Sequence, residues 1–83
     1  MRYALKIEKV AERHLEKLPA EILGRVTQKL TELEQNPRVA GVTKLKGIEG
    51  YRLRVEDYRI LFTIDDRRRE VCVYRVKHRR EVY

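Results

Sequence analysis

The last third of the chain, residues 51–83, reads YRLRVEDYRILFTIDDRRREVCVYRVKHRREVY. In residues 51–55, and again in residues 58–64, every second residue is a large apolar one. This period of two is typical of half-buried β-strands. Because Glu56 and Asp57 alone separate the two runs, the pattern predicts a tight β-hairpin.

The turn of this hairpin determines which side chains face each other. If Val55 pairs with Tyr58, the apolar residues meet on one face, and Arg54 stands opposite Arg59 on the other, with Arg52 one step along. Like charges directly opposite on a sheet are destabilising, by roughly 0.2–1 kcal/mol for a pair. The arginine cluster could be an ordinary solvated basic face. Because the repulsion between the arginines lowers stability, however, the pattern favours a preformed site for an anion.

A third strand is predicted over residues 71–76, followed by the closing segment KHRREVY at 77–83. The strand is apolar on both sides except for Arg75, which predicts a central or covered position in the sheet. The closing segment adds a histidine, two arginines and a tyrosine beside the arginines of the hairpin. This combination is suited to binding phosphate.

The first half of the chain predicts a short strand over residues 2–8 and a helix over 9–18. A second helix begins after Pro19 and ends at 36–37, an Asn-Pro pair. The predicted fold is therefore α+β, in the order β-α-α-β-β-β. The fold begins with an N-terminal strand. A two-helix antiparallel hairpin then packs on one face of a small, mostly antiparallel sheet.

Residues 38–50 are predicted to form a loop, which contains three of the four glycines. Lys44 and Lys46 add positive charge near the start of the hairpin. Leu45 and Ile48 are expected to anchor the loop to the core.

The chain of 83 residues forms a single domain, 1–83, with a thin core, since a chain this short buries only about 60% of its unfolded surface. Its 20 Lys and Arg against 13 Asp and Glu give a net charge of +7, which favours a polyanion or an acidic protein as partner. With six aromatic residues (five Tyr and one Phe), the chain does not resemble a general single-strand binder that stacks bases. Neither a leader nor a long apolar run is visible, so we expect a cytoplasmic protein that does not cross a membrane.

Two residues with chemical potential are interpreted as structural. His14 lies beside the apolar stripe of the first helix and is expected to pack there, and Cys72 lies within an apolar strand and is expected to be a buried thiol. Zinc-type clusters, paired carboxylates and glycine-rich phosphate loops are missing from the sequence, so no metal and no cofactor are predicted.

Four short segments together resemble the RelE family of bacterial and archaeal toxins, within the RelE/ParE superfamily. They are KLKG at 44–47, YRLRV at 51–55, DYRILF at 57–62 and HRREVY at 78–83. The resemblance extends over the whole chain in length and element order. It implies a helical hairpin on one face of a mostly antiparallel sheet, with a basic opposite face.

The resemblance also implies an activity, that of a toxin of a type II toxin–antitoxin system. RelE-like toxins are ribosome-dependent, metal-independent endoribonucleases that cleave mRNA in the ribosomal A site by attack of the 2′-hydroxyl on the adjacent phosphate. The implied partners are an acidic RelB-like antitoxin and mRNA on the ribosome, with contacts to 16S rRNA.

The active residues of the family carry over by motif, with one departure. Relatives have lysine where this chain has Arg52 and Arg54, and arginine does not lose its proton in proteins. That departure places more of the base function on Tyr83, with His78 as a second candidate. The implied catalytic residues are Arg52, Arg54, Arg59, Arg79, Tyr83 and His78; the implied RNA-binding residues are Lys44, Lys46, Arg52, Arg54, Arg59, Arg75 and Arg80.

Two other functions fit the same sequence features. A ParE-like toxin inhibits DNA gyrase with a similar fold, and a non-catalytic basic module binds RNA or the ribosome. ParE-like chains usually lack the closing tyrosine, so HRREVY favours the ribonuclease.

Overall fold

Two helices cover one face of a five-stranded sheet in the computed structural model, which describes residues 2–80. The elements are β1 (Ala4–Ile7), α1 (Lys9–Glu16), α2 (Ala20–Gln35), β2 (Val42–Lys44), β3 (Tyr51–Val55), β4 (Tyr58–Asp65) and β5 (Glu70–His78). The strands lie in the order β1-β5-β4-β3-β2. β1 runs parallel to β5, and every other neighbouring pair is antiparallel. The predicted α+β class is confirmed.

The predicted loop at 38–50 contains a strand that the sequence pattern missed. β2 pairs with β3, Val42 with Leu53 and Lys44 with Tyr51, and forms one edge of the sheet. Three residues are too few to show an alternating pattern, so pairing with a longer neighbour, rather than local preference, defines this strand.

The predicted hairpin is confirmed, including its register. Val55 pairs with Tyr58 across the two-residue turn, and Leu53 pairs with Ile60. Glu56 adopts a positive φ of 53° in the turn. This backbone conformation is higher in energy for a residue with a side chain than for glycine. Arg25 of α2 donates to the carboxylate of Glu56 and ties the turn to the helix above it.

The core lies between α2 and the covered face of the sheet. Val26, Leu30 and Leu33 of α2 are buried there, whereas Leu23 of the same helix keeps 36% of its surface exposed. Complete burial of one such side chain contributes about 1.5–3 kcal/mol before entropic costs. The largest fully buried side chains are Phe62, Leu33, Ile60, Val26, Val71 and Val73.

A bulge in β5 changes which of its side chains reach the core. Leu61 pairs with Arg75 but the next residue, Phe62, pairs with Val73, so Tyr74 is the extra residue that the bulge inserts into β5. As a result Val73 and Val76, three residues apart, are both buried, at 0% and 4% exposure.

His14 has the packing role that the sequence indicated. β1 accompanies β5 as far as Val73, and beyond that point the Val76 backbone N–H donates to Nδ1 of His14 on α1 at 3.2 Å. The imidazole thereby satisfies a backbone donor of β5 at a point that lies beyond its pairing with β1.

Two sequence-based expectations need correction. Cys72 is only partly buried, and its Sγ lies 3.5 Å from Glu8 Oε2; partial burial and this carboxylate raise the pKa of the thiol. Ile48 is not an anchor, because 63% of its surface is exposed, whereas Leu45 is half-buried as expected.

No helix within residues 2–80 is long and apolar enough to cross a membrane.

A polar clasp closes the end of the sheet farthest from the β3–β4 turn. Arg38, just after α2, donates to both carboxylate oxygens of Asp66 at 3.0 and 2.9 Å, and the Tyr3 hydroxyl donates to the same carboxylate at 2.7 Å. The Arg38 guanidinium also lies 5.6 Å from the centre of the Tyr51 ring. Hydrogen bonds from Arg38 and then Tyr3 lower the pKa of Asp66 from 3.8 to about 2.

We predict that Asp66→Asn flattens the acid limb of the stability profile. Because the folded-state pKa lies below the ordinary value of 3.8, the carboxylate contributes stability above that pH and loses it as the pH falls through about 2. Urea midpoints between neutral pH and pH 2 measure this loss, with Glu16→Gln on α1 as the control carboxylate change. Equal pH dependence in wild type and Asp66→Asn would show that the clasp contributes nothing to stability.

Candidate functional site

The face of the sheet opposite the helices carries two rows of side chains that run across β3, β4 and β5. In the first row Arg54 pairs with Arg59, which pairs with Lys77; in the second Arg52 pairs with Leu61, which pairs with Arg75. Side chains at directly paired positions have Cβ atoms about 4.5–5.5 Å apart. We call the five cations of these rows the basic face: Arg52, Arg54, Arg59, Arg75 and Lys77.

The basic face contains predicted arginines and one lysine that the sequence analysis did not predict. Arg54 opposite Arg59 is the arrangement predicted from the two-residue turn. Lys77 was not among the predicted site residues; the bulge at Tyr74 places it in register with Arg59. A strict alternation from Val73 would have turned Arg75 into the core and Lys77 with it, so no local pattern revealed this position.

Arg79 lies beside the hairpin turn, just beyond the first row. Its backbone N–H donates to the carbonyl of Asp57 at 2.6 Å, and its Nε lies 3.6 Å from Asp57 Oδ1. Arg54 reaches the same turn, where its Nε donates to the carbonyl of Glu56 at 3.3 Å. The turn therefore brings Arg79 to the end of the basic face where Arg54 and Arg59 lie.

His78 is not brought together with these arginines. It pairs with Tyr58 and therefore belongs to the face that the helices cover. Its ring meets that of Tyr58 edge to face, with centroids 5.0 Å apart and planes at 88°. Its Nδ1 accepts the backbone N–H of Arg80 at 3.2 Å, so His78 helps to shape the chain where β5 ends.

The remaining predicted residues lie at the margins of the basic face. Lys44 pairs with Tyr51 at the β2 edge, a register position of the covered face, and Lys46 lies in the loop between β2 and β3 beside Arg52. Arg80 is exposed after β5. Tyr83 lies outside the described residues.

The described groups define what the face can do chemically. Arginine remains protonated and offers a planar fork of donors to phosphate oxygens, whereas lysine can also transfer a proton. Within residues 2–80 no group of three His, Cys, Asp or Glu side chains is placed to hold a metal ion. The arrangement of residues is thus suited to binding an anionic backbone along several cationic positions at once.

A family model and a known protein both match this sequence over nearly all of its length. Residues 5–83 match the family described as ParE toxin of type II toxin-antitoxin system, parDE. The chain is 33% identical over 85 residues to Toxin RelG of Mycobacterium tuberculosis, covering 100% of this chain and 98% of the relative.

Two solved structures show the same fold with comparable coverage. A chain of the archaeal RelE-RelB complex from Pyrococcus horikoshii superposes with a TM-score of 0.86 at 27% identity, over 99% of this chain and 100% of the other. A chain of the toxin-antitoxin complex RelBE2 from Mycobacterium tuberculosis superposes with a TM-score of 0.84 at 30% identity, over 94% and 99% of the two chains.

We predict that Arg54→Thr stabilises the fold at low ionic strength. Removing one of two directly opposed cations relieves a repulsion of up to about 1 kcal/mol. The gain shrinks in 1 M NaCl, where the screening length falls to about 3 Å. Urea midpoints at 0.01 and 1 M NaCl measure it, with Arg68→Thr in the β4–β5 turn as the matched control. A loss of stability at both salt concentrations contradicts the assignment of strain to this pair.

Proposed function

Since the chain belongs to the RelE/ParE superfamily of type II toxin–antitoxin toxins, we propose that it is a ribosome-dependent endoribonuclease. Its substrate is mRNA in the ribosomal A site, with further contacts to 16S rRNA, and its action in the cytoplasm stops translation. The observation that supports this proposal best is the basic face, where Arg54, Arg59 and Lys77 form one row with Arg79 at its end.

The proposed reaction needs no metal. The 2′-oxygen forms a bond to the adjacent phosphorus while the bond from phosphorus to the 5′-oxygen breaks, which leaves a 2′,3′-cyclic phosphate and a free 5′-hydroxyl. One group accepts the proton of the 2′-hydroxyl, and another donates a proton to the departing 5′-oxygen.

Arginines meet the electrostatic requirement of this reaction. The five-coordinate phosphorus carries more negative charge than the substrate phosphate, and fixed cations stabilise it without reorganising. Arg59 and Arg79 are assigned to this charge, because Arg59 lies in the middle of the first row and Arg79 at the turn beside it. Arg52 and Arg54 hold the flanking backbone, and the remaining RNA contacts come from Lys46, Arg75 and Arg80, whereas the register of Lys44 on the covered face disfavours the RNA contact predicted for it.

The base is assigned to Tyr83, which carries over from the family motif. Two features of the described chain bear on the alternatives. His78 sits on the covered face against Tyr58, which disfavours it as the base. Lys77 shares a row with Arg59 and adds an ammonium donor to the basic face beside the arginines assigned to the phosphate.

Gyrase inhibition is the second candidate function, and the match to the ParE toxin family favours it. A gyrase inhibitor needs a protein-binding surface but no RNA chemistry. The two functions therefore separate in an assay for cleavage of a translated message and an assay for DNA supercoiling by gyrase.

The proposed partner is an acidic RelB-like antitoxin. Two of the matching structures are complexes with an antitoxin. A chain with a net charge of +7 attracts an acidic segment, and β2, an edge strand of the sheet within residues 2–80, offers its outer backbone groups to an extended peptide. Such a segment is expected to be disordered alone and to order on the toxin.

We predict that wild-type protein produces cuts at the A-site codon of a translated message, mapped by primer extension. Arg59→Ala and Arg79→Ala should each reduce cleavage about 10²–10³-fold, the usual effect of removing one transition-state donor. The same variants should no longer arrest growth, and a co-expressed acidic antitoxin should relieve arrest by wild type.

Arg68→Ala, a cation of the β4–β5 turn at the far end of the sheet, is the matched control and should cleave like wild type. Wild-type protein that inhibits gyrase and leaves the message intact would refute the ribonuclease proposal in favour of the ParE-like function.

We further predict that Tyr83→Phe lowers single-round cleavage about 10²–10⁴-fold, as expected when a proton-transfer group is lost. His78→Ala should have a smaller effect, because its ring packs against Tyr58 on the covered face. Circular dichroism checks that both variants are folded. If His78→Ala lowers cleavage more than Tyr83→Phe does, the role of general base belongs to His78.

A further inference from the structure

A small apolar cavity opens at the edge of the basic face, under the loop between β2 and β3. The loop closes on itself through a hydrogen bond from the Leu45 N–H to the Gly50 carbonyl at 3.0 Å. Gly50 has a φ of 137°, and a Cβ there would lie 3.2 Å from the Tyr74 hydroxyl, so the loop is packed closely at its base. The cavity has a volume of about 220 Å³ and is lined by Leu45, Lys46, Ile48, Arg52 and Leu61.

Two of the lining residues stand out for their exposure. Leu61 is only 5% exposed although it lies on the face away from the helices, so it forms the floor of the cavity. Ile48 is 63% exposed, the highest fraction among the large exposed hydrophobic residues of the described chain. A single exposed isoleucine is ordinary on a protein surface, but this one lies at an apolar cavity on a basic face.

The rim of the cavity determines the chemistry of its ligand. Lys46 and Arg52 line it together with the three aliphatic side chains. Arg52 also belongs to the basic face, and Arg54 follows two residues later on the same strand, roughly 6.6 Å away at 3.3 Å per residue. A ligand in the cavity therefore has an apolar body and is joined to negative charges that continue along β3.

The size of the cavity limits the apolar body to a small group. Sites for drug-sized ligands have volumes of about 300–1,000 Å³, and this cavity is smaller. A flat heterocycle with an attached phosphate meets both the size and the charge requirement.

We infer that this cavity, the base pocket, binds one nucleobase of single-stranded RNA while the neighbouring phosphates lie on Lys46, Arg52 and Arg54. The inference rests on the proposed function for the identity of the ligand and adds a subsite to it. Proteins that hold single strands combine a cationic track with apolar platforms for the bases. Here the platform is aliphatic and is made by Ile48 and Leu61, in a chain with few aromatic residues.

The test is a double-variant cycle on the free protein and a short 2′-O-methyl oligonucleotide, which cannot be cleaved because its 2′-oxygen is blocked. Fluorescence anisotropy measures binding of the intact oligonucleotide and of versions that lack the base at each position in turn. The protein variants are Ile48→Ser and Val10→Ser; Val10 is an aliphatic residue of α1 with 41% exposure and is the matched control.

We expect Ile48→Ser to weaken binding of the intact oligonucleotide about tenfold. Removing the base at one position should weaken binding to wild type by a similar factor, and combining the two changes should cause no further loss, because both remove the same contact. Val10→Ser should bind like wild type.

Three outcomes overturn the base pocket: additive losses at every position, unchanged binding by Ile48→Ser, or no binding of the intact oligonucleotide by wild type at millimolar concentration. If Ile48→Ser leaves oligonucleotide binding unchanged and also abolishes capture of an acidic antitoxin peptide, the cavity belongs to a protein partner instead. The A-site cleavage assay is independent of this cycle. If the message is cleaved but the effects of Ile48→Ser and of base removal are additive, the base pocket alone is rejected. If the two effects are not additive but the message stays intact, the ribonuclease function alone is rejected.

Discussion

The hydrophobic core and the basic face depend on one constraint, the two-residue turn between Val55 and Tyr58. Side chains on a strand alternate between faces, so this turn brings Leu53 onto Ile60 beneath the helices and at the same time sets Arg54 opposite Arg59. A slip of one residue would exchange the faces, exposing the core and burying the arginines. Burial of the apolar face therefore fixes the arginine pair, although the pair itself is repulsive.

The bulge at Tyr74 extends this arrangement to the third strand. Val73 and Val76 are three residues apart and cannot both face the core in a regular strand, yet both are buried. The additional residue resolves the conflict and places Lys77 beside Arg59. Packing of two valines thus determines where a cation of the candidate site lies, an instance of the bulges that re-aim side chains near functional sites.

The charges are distributed so that stabilising pairs flank the basic face. Near the β3–β4 turn, Glu56 pairs with Arg25 and Asp57 with Arg79, and at the other end of the sheet Asp66 holds the clasp. These exposed pairs contribute modestly to stability, but they position the turn and the chain after β5. In the proposed function, the phosphates of the RNA substrate meet the row of cations between the two ends.

The sequence by itself determined those features that depend on neighbouring residues and on one short turn. The hairpin, its register, the opposed arginines and the covering helices follow from periodicity, and the family motifs indicated the toxin superfamily before any fold was known. What depends on distant contacts was decided by the tertiary structure. β2 exists because it pairs with β3, and the bulge turns His78 toward the helices and Lys77 away from them. Ile48 lies exposed in a loop that closes through a hydrogen bond between Leu45 and Gly50. The physical reason is that strand pairing and core packing are satisfied over the whole sheet, whereas alternation along one strand reports only its own faces.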